Sequence, residues 1–248
     1  MRLAILGCGT LETPNNAISA EPHLADDHAT KEADVVILAH KPYMLRSVFG
    51  EEGMAAALQG KSIISILAGV SSTQIREVLT SLLSATDAAD CQIVQAMPNL
   101  AALAGESMTL VCESRETRPD LVLLATQIFE RVGRVQVVSE ALMAPLTVLA
   151  GASHALLTVA VDGILDGAVS QGIARAPAKD ILVQCLTGLA KMLDCGQHPA
   201  QLRESISSPA GATSEALLVL ERRATRAAFA DAVINGTARV RKMQQDQK

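Results

Sequence analysis

The chain has 248 residues, 49% of them hydrophobic, and a formal charge of −5, enough for one large domain or two modest ones with a sizeable core or oligomer interface. Aromatic residues make up 2% with no Trp, which argues against base-stacking platforms, and the acidic balance supplies no basic field for nucleic acid or an anionic membrane. Five scattered cysteines (Cys8, Cys91, Cys112, Cys185 and Cys195) without a C-x-x-C pair suit reduced thiols in a cytoplasmic protein and give no support for a metal site.

The first apolar run, "RLAILG" (2–7), leads into the turn "LGCGTLETPNN" without the charged n-region of a signal peptide. Gly7-Cys8-Gly9 after a strand begins a dinucleotide fingerprint, in which absent side chains let backbone approach a pyrophosphate. The fingerprint's third glycine is replaced by Glu12, and Pro14 disfavours an uninterrupted helix. Between Gly9 and Asp34 lie 24 residues (10–33). One helix fits there, "HLADDHATKEA", but a helix, strand, helix and further strand at ordinary lengths do not. In a sheet of order 3-2-1-4-5-6, strands 1 and 4 are neighbours, so losing strands 2 and 3 shortens one edge and spares the middle.

Further along, "DVVILA" (34–39), "SIISIL" (62–67), "QIVQAM" (92–97) and "MTLVC" (108–112) are continuous apolar runs of strand length. Such runs predict parallel strands covered on both faces. Helical segments near 42–58, 72–83 and 116–131 alternate with them, giving a βαβ series. Beyond a boundary near 134–140 only helical patterns continue, near 141–168, 175–195, 199–206, 212–222 and 224–244. Two domains follow, 1–138 and 139–248. Leu142–Val161 carries no formal charge, yet its Pro, Gly, Ser, His and Thr residues suit burial against another subunit better than a membrane span.

"SSPAGATSEAL" (207–217) places a Pro-Ala-Gly turn before a helix. One reading makes Thr213 a helix cap; the other makes the turn an anion site of free amides with a hydroxyl beside them.

Taken together, "EADVVILAHKPYML", "GKSIISILAGV", "AMPNLAALAGESMTL", "GIARAPAKDILVQCLTGLAKML" and "GQHPAQLRESISSPAGATSEALLVLE" resemble the pyrroline-5-carboxylate reductase family. The resemblance implies a shortened Rossmann-like α/β parallel-sheet domain followed by an all-α dimerisation domain. It implies reduction of 1-pyrroline-5-carboxylate to proline, or of a six-membered piperideine analogue, with NADP or NAD as cofactor and a homodimer or higher homo-oligomer as the assembly. By the same resemblance Gly7, Cys8, Gly9, Thr10, Lys41, Pro42, Ala68, Gly69 and Asn99 (in Met97-Pro98-Asn99) hold the cofactor. Ser208, Gly211, Ala212 and Thr213 hold the substrate, with Thr213 the catalytic hydrogen-bonding hydroxyl at the imine nitrogen. No metal is implied.

This chain departs from the family pattern at several points. The incomplete fingerprint predicts weak cofactor binding, with the adenosine half held less well than the nicotinamide half. Ala210 stands where the family has glycine, adding a Cβ where a positive φ is wanted. His154 stands in a proline position and reads as a buried structural histidine. These changes leave a second function class open, a weakened or inactive relative that serves as an oligomerising partner.

Overall fold

The computed structural model describes residues 1–7, 27–114 and 116–246. They form two compact units, Met1–Gly151 with Gly236–Lys248, and Ala152–Asn235.

The first unit holds a six-stranded sheet in the order β1 (Leu3–Leu6), β2 (Val35–Leu38), β3 (Ser62–Ser65), β4 (Gln92–Met97), β5 (Ser107–Glu113) and β6 (Gly133–Ser139). Strands β1 to β4 are parallel, and their continuous apolar runs have the expected cause. Val36 and Leu38 enter one core with Val48, Phe49, Leu58 and Leu79. Val35 and Ile37, on the other face, join Ile64, Val94, Leu121 and Phe129. Burial on both faces leaves no polar alternation for the sequence to show.

The second half of the sheet departs from the all-parallel expectation. β5 is antiparallel to β4, and β6 is parallel to β5. Only nine residues (98–106) join β4 to β5, with a 3₁₀ turn at Leu100–Ala104. A parallel crossover needs about a dozen or more, so the chain doubles back. β6 was not expected at all. It lies at the sheet edge with only Val138 buried, and its signal is the alternation of "RVQVV" rather than a continuous apolar run. At the opposite edge β1 is the last strand among the described residues. The expected loss of two strands concerns residues 10–33, of which 10–26 lie outside the described residues.

Around the sheet lie α1 (Asp27–Glu32), α2 (Leu45–Phe49), α3 (Met54–Leu58), α4 (Ser72–Leu82), α5 (Ala85–Asp90) and α6 (Pro119–Phe129). The single helix expected over 42–58 is divided by Gly50 and Gly53 into α2 and α3. The entry to α4 is fixed by a capping box. The Gln74 amide donates to Ser71 Oγ at 3.2 Å, and the Ser71 amide donates to Gln74 Oε1 at 2.8 Å.

Helix α7 (Glu140–Thr147) contains Pro145 and passes into a π-helical turn, Val148–Ala152. The expected helix over 141–168 is therefore interrupted, as a proline inside a helix and a π turn both disturb the i→i−4 ladder. Met143 is buried with Leu110, Cys112 and Val138.

The second unit comprises α8 (Ser153–Ser170), α9 (Arg175–Asp194), α10 (Pro199–Ile206), α11 (Ala212–Arg222) and the start of α12 (Thr225–Asp246). Arg175 pairs with Asp166 between α8 and α9. Leu165, Ala178 and Leu202 are its buried residues, whereas Val159 and Ile181 are 71% and 62% exposed. A helical unit with so little core leaves large apolar faces uncovered on a single chain. Glu140–Ser170 is long and apolar enough, by length and composition, to cross a membrane.

Candidate active site at the carboxyl edge of the sheet

The register aligns Leu6, Leu38, Ser65 and Gln95 across the four parallel strands. The residues that follow each strand therefore leave the sheet at one edge. That edge gathers Gly7, Lys41, Pro42, Ala68, Gly69 and Asn99, all expected at the cofactor. Ligands of open α/β sheets bind at the carboxyl ends of the strands. Cys8, Gly9 and Thr10 lie outside the described residues.

Gly7 adopts φ +131°, and a Cβ there would lie 2.4 Å from the His40 nitrogen and 2.6 Å from the Ala39 carbonyl carbon. The Ala39 amide donates to the Leu6 carbonyl at 2.8 Å, which draws the two chains together. Only bare backbone fits between β1 and β2, as a close-approach turn demands. Lys41 is extended at φ −67° and ψ 141°, ahead of the 3₁₀ turn Pro42–Met44. Its side chain is exposed, leaving a cation at the edge. Ala68 is exposed and Gly69 half-buried.

Asn99 is buried and heavily engaged. Its Oδ1 accepts from the Ala101 amide at 3.2 Å, its Nδ2 donates to the Ala150 carbonyl at 3.0 Å, and its amide donates to Ser107 Oγ at 3.2 Å. The side chain thus caps the turn after β4 and ties it to the π turn.

Two features escaped the sequence reading. His40, at 6% exposure, sits two residues beyond the end of β2, where a histidine ending an otherwise apolar run was its only signal. The end of α12 also reaches the Gly69 loop. A Cβ at Gly69 would meet Met243 Cε at 3.5 Å, and Gln74 Nε2 donates to the Gln244 carbonyl at 3.4 Å. Nothing local in the sequence announces a contact across such a separation.

In the second unit, Ser208–Thr213 forms a tight turn. The Gly211 amide donates to the Ser208 carbonyl at 3.0 Å, and Ser214 Oγ donates to the same carbonyl at 2.9 Å. A Cβ at Gly211 would lie 2.3 Å from Ser208 Oγ. Ala210 adopts φ 52°, the left-handed conformation that its family glycine would take without strain. Thr213 is not the helix cap. Gly211 occupies that position with extended backbone, and Ala212 is the first residue of α11, so Thr213 is already helical and its exposed hydroxyl is free of capping duty. The first amides of α11 have no intrahelical acceptor. His154 is exposed on the single chain, contrary to the buried role expected for it. Among the described residues, no group of three or more His, Cys, Asp or Glu could hold a metal ion.

The family described as "Pyrroline-5-carboxylate reductase dimerisation" matches residues 140–243, and the one described as "NADP oxidoreductase coenzyme F420-dependent" matches residues 10–69. A pyrroline-5-carboxylate reductase of Lophium arboricola is 39% identical over 212 residues, covering 84% of this chain and 66% of that protein. The Synechocystis enzyme of the same name is 31% identical over 237 residues, covering 89% of this chain and 85% of the relative. The chain spans about two thirds of the length of its Lophium arboricola and Neurospora crassa relatives, 66% of each. Among solved structures, a Plasmodium falciparum pyrroline carboxylate reductase with NADP bound superposes with a TM-score of 0.83 at 21% identity, covering 98% of both chains. The Coxiella burnetii pyrroline-5-carboxylate reductase gives 0.81 at 24% identity, with 98% of both chains covered. At these identities the structures speak for the fold; the relatives above 30% identity speak for the family. The chain belongs to the pyrroline-5-carboxylate reductase family.

Proposed function

We propose that this chain reduces 1-pyrroline-5-carboxylate to proline with NADPH or NADH, as a cytoplasmic homodimer or higher homo-oligomer. The six-membered piperideine carboxylate belongs to the same substrate class. The observation that carries the reading is the convergence of Gly7, Lys41, Gly69 and Asn99 on the carboxyl edge of four parallel strands. In this reading residues 1–138 hold the dinucleotide and residues 139–248 supply the dimerisation surface and the substrate loop.

The residues present suit a dinucleotide. Gly7 leaves a side-chain-free approach beside β2, where a pyrophosphate comes close to backbone. The exposed Lys41 ammonium, with Pro42 stiffening its turn, offers a counter-charge. Ala68 and Gly69 keep the neighbouring loop small. Asn99 acts mainly by fixing the loop after β4, since its Oδ1 and Nδ2 both have partners. The cofactor, when bound, supplies a hydride. The sequence of residues 10–33 shows no second-strand end with the usual carboxylate or arginine for the adenosine ribose, so binding is weak and discriminates little between NADPH and NADH.

The substrate is an anion with an electrophilic C=N. Amides at the start of α11, with Ser208, Gly211 and Ala212 shaping the turn, suit its carboxylate. The Thr213 hydroxyl orients the imine nitrogen or relays its proton without carrying charge. The rate advantage then comes chiefly from holding two reactants in line, an effect that reaches roughly 7–11 kcal/mol in favourable cases. The exposed apolar faces of α8 and α9 belong against another copy of the chain rather than in a bilayer.

The test is a fluorescence titration of the purified protein with NADPH and NADH, followed by addition of the cyclic imine. Cofactor binding with one proline formed per cofactor oxidised supports the reading. Binding without turnover, or no binding, overturns it and leaves an inactive relative that assembles.

A further inference from the structure

We infer that the last three turns of α12 are a strut that positions the cofactor edge, with Met243 holding the Gly69 loop; this rests on the reductase reading above. Gly236, Thr237, Val240, Met243 and Gln244 are buried or half-buried, while Ala238, Arg239, Arg241 and Lys242 are exposed. The covered positions recur at i, i+1, i+4, i+7 and i+8, a single stripe of a helix laid against its neighbours.

The two ends of the stripe meet the two loops that matter. At Gly236 a Cβ would lie 2.9 Å from Val148 Cγ1, so the missing side chain lets α12 come close to the π turn. That turn is the one Asn99 grips through the Ala150 carbonyl. Seven residues on, roughly 10 Å along a helix axis, the Met243 methyl stands 3.5 Å from where a Gly69 Cβ would be. Gly69 is left-handed at φ +76°. A glycine has the widest backbone freedom of any residue and no side chain to anchor it, so its conformation depends on what covers it.

A polar pairing reinforces the far end. A helix leaves its last four carbonyls without internal partners, and Gln244 lies in the last turn of α12. Its carbonyl accepts from Gln74 Nε2 at 3.4 Å, while Gln74 Oε1 accepts from the Ser71 amide at 2.8 Å. One buried glutamine thus serves the end of α12 and the start of α4, and the Gly69 loop runs directly into that start. The loops after β3 and after β4 therefore share one support. Met243 acts on the cofactor through Gly69, which makes it a positioning residue.

The test uses full-length protein and needs both a binding and a turnover measurement. Met243→Ala is expected to weaken NADPH and NADH about fivefold in fluorescence titration and in KM, the scale of one lost apolar contact. Its kcat at saturating cofactor, its assembly by light scattering and its cofactor-free melting temperature are expected to stay near wild type. Met243→Leu, which restores an apolar cover, is expected to recover most of the affinity. In wild-type protein labelled with ¹³C at the methionine methyls, the Met243 resonance, assigned from Met243→Leu, is expected to shift when either cofactor is added. Should Met243→Ala fail to fold, that resonance decides alone. Wild-type cofactor binding with the Met243 resonance unmoved, unchanged affinity in Met243→Ala, or an equal loss in Met243→Leu overturns the inference and leaves the reductase reading intact. Absence of cofactor binding by the wild type overturns the reductase reading, and the inference with it.

Discussion

The side-chain amide of Asn99 donates to the main-chain carbonyl of Ala150 across 3.0 Å, joining the loop after β4 to the π turn that follows α7. The π turn and the site edge are thereby set by one side chain, which also caps its own turn through Ala101. Asn99→Ala removes both bonds and is expected to lower stability by about 2 kcal/mol, near 1 kcal/mol for each bond lost. Asn99→Asp keeps an acceptor for Ala101 but sets a carboxylate against the Ala150 carbonyl, and should be no more stable than the alanine variant. Urea unfolding of the three proteins checks both expectations.

Ala210 supplies a test in the opposite direction. Its φ of 52° costs an L-residue roughly 1–2 kcal/mol, and the added freedom of a glycine in the unfolded chain offsets part of the relief. Ala210→Gly is therefore expected to gain about 0.5–1 kcal/mol in unfolding free energy. A loss of stability would show that the turn needs the methyl group.

The fold was legible where burial leaves a chemical trace. β1 to β4 announce themselves because both faces are covered, and the helices from 175 onward announce themselves through apolar spacing broken by Gly and Pro. What stayed hidden has a physical reason in each case. β6 is an edge strand with a single buried residue, and the reversal of β5 follows from the length of a loop rather than from composition. A cap was one of two readings of Thr213, because Thr is a common cap; backbone geometry gives that place to Gly211. The cofactor edge could be assembled from short motifs, but the burial of His40 could not, since it exists only once the chain has folded around it.

Cys112 makes the pH dependence specific. Its burial, reinforced by the nearby Glu140 charge, pushes the thiol up to about 11. A thiol raised in the folded state keeps its proton while the unfolded chain loses one, so its contribution is complete below the ordinary thiol range. Stability then falls as pH rises from about 9 toward 11, by on the order of 2–3 kcal/mol. Chemical denaturation across that window, repeated with Cys112→Ala, isolates the effect: the variant should show a shallower decline.

The apolar faces of α8 and α9 predict assembly. Val159 and Ile181 are 71% and 62% exposed on one chain; light scattering at micromolar concentration is expected to find a dimer or larger. Val159→Asp with Ile181→Asp places unpaired carboxylates in that contact, at a cost of several kcal/mol, and should shift the population to monomer or to unfolded chain. A wild-type protein that stays monomeric and soluble would contradict this assignment.

Cyclic-imine turnover with saturating cofactor, measured for wild type, Thr213→Ser and Thr213→Ala alongside their melting temperatures, bears most directly on imine reduction at the Thr213 turn. Because Thr213 lies inside α11 with Gly211 as the cap, losing its hydroxyl should leave the melting temperature nearly unchanged. The alanine variant is expected to lose about 10²-fold in turnover, the effect of one transition-state hydrogen-bond donor, and the serine variant to keep most of it. Equal turnover in wild type and Thr213→Ala, or none in wild type, would contradict the account.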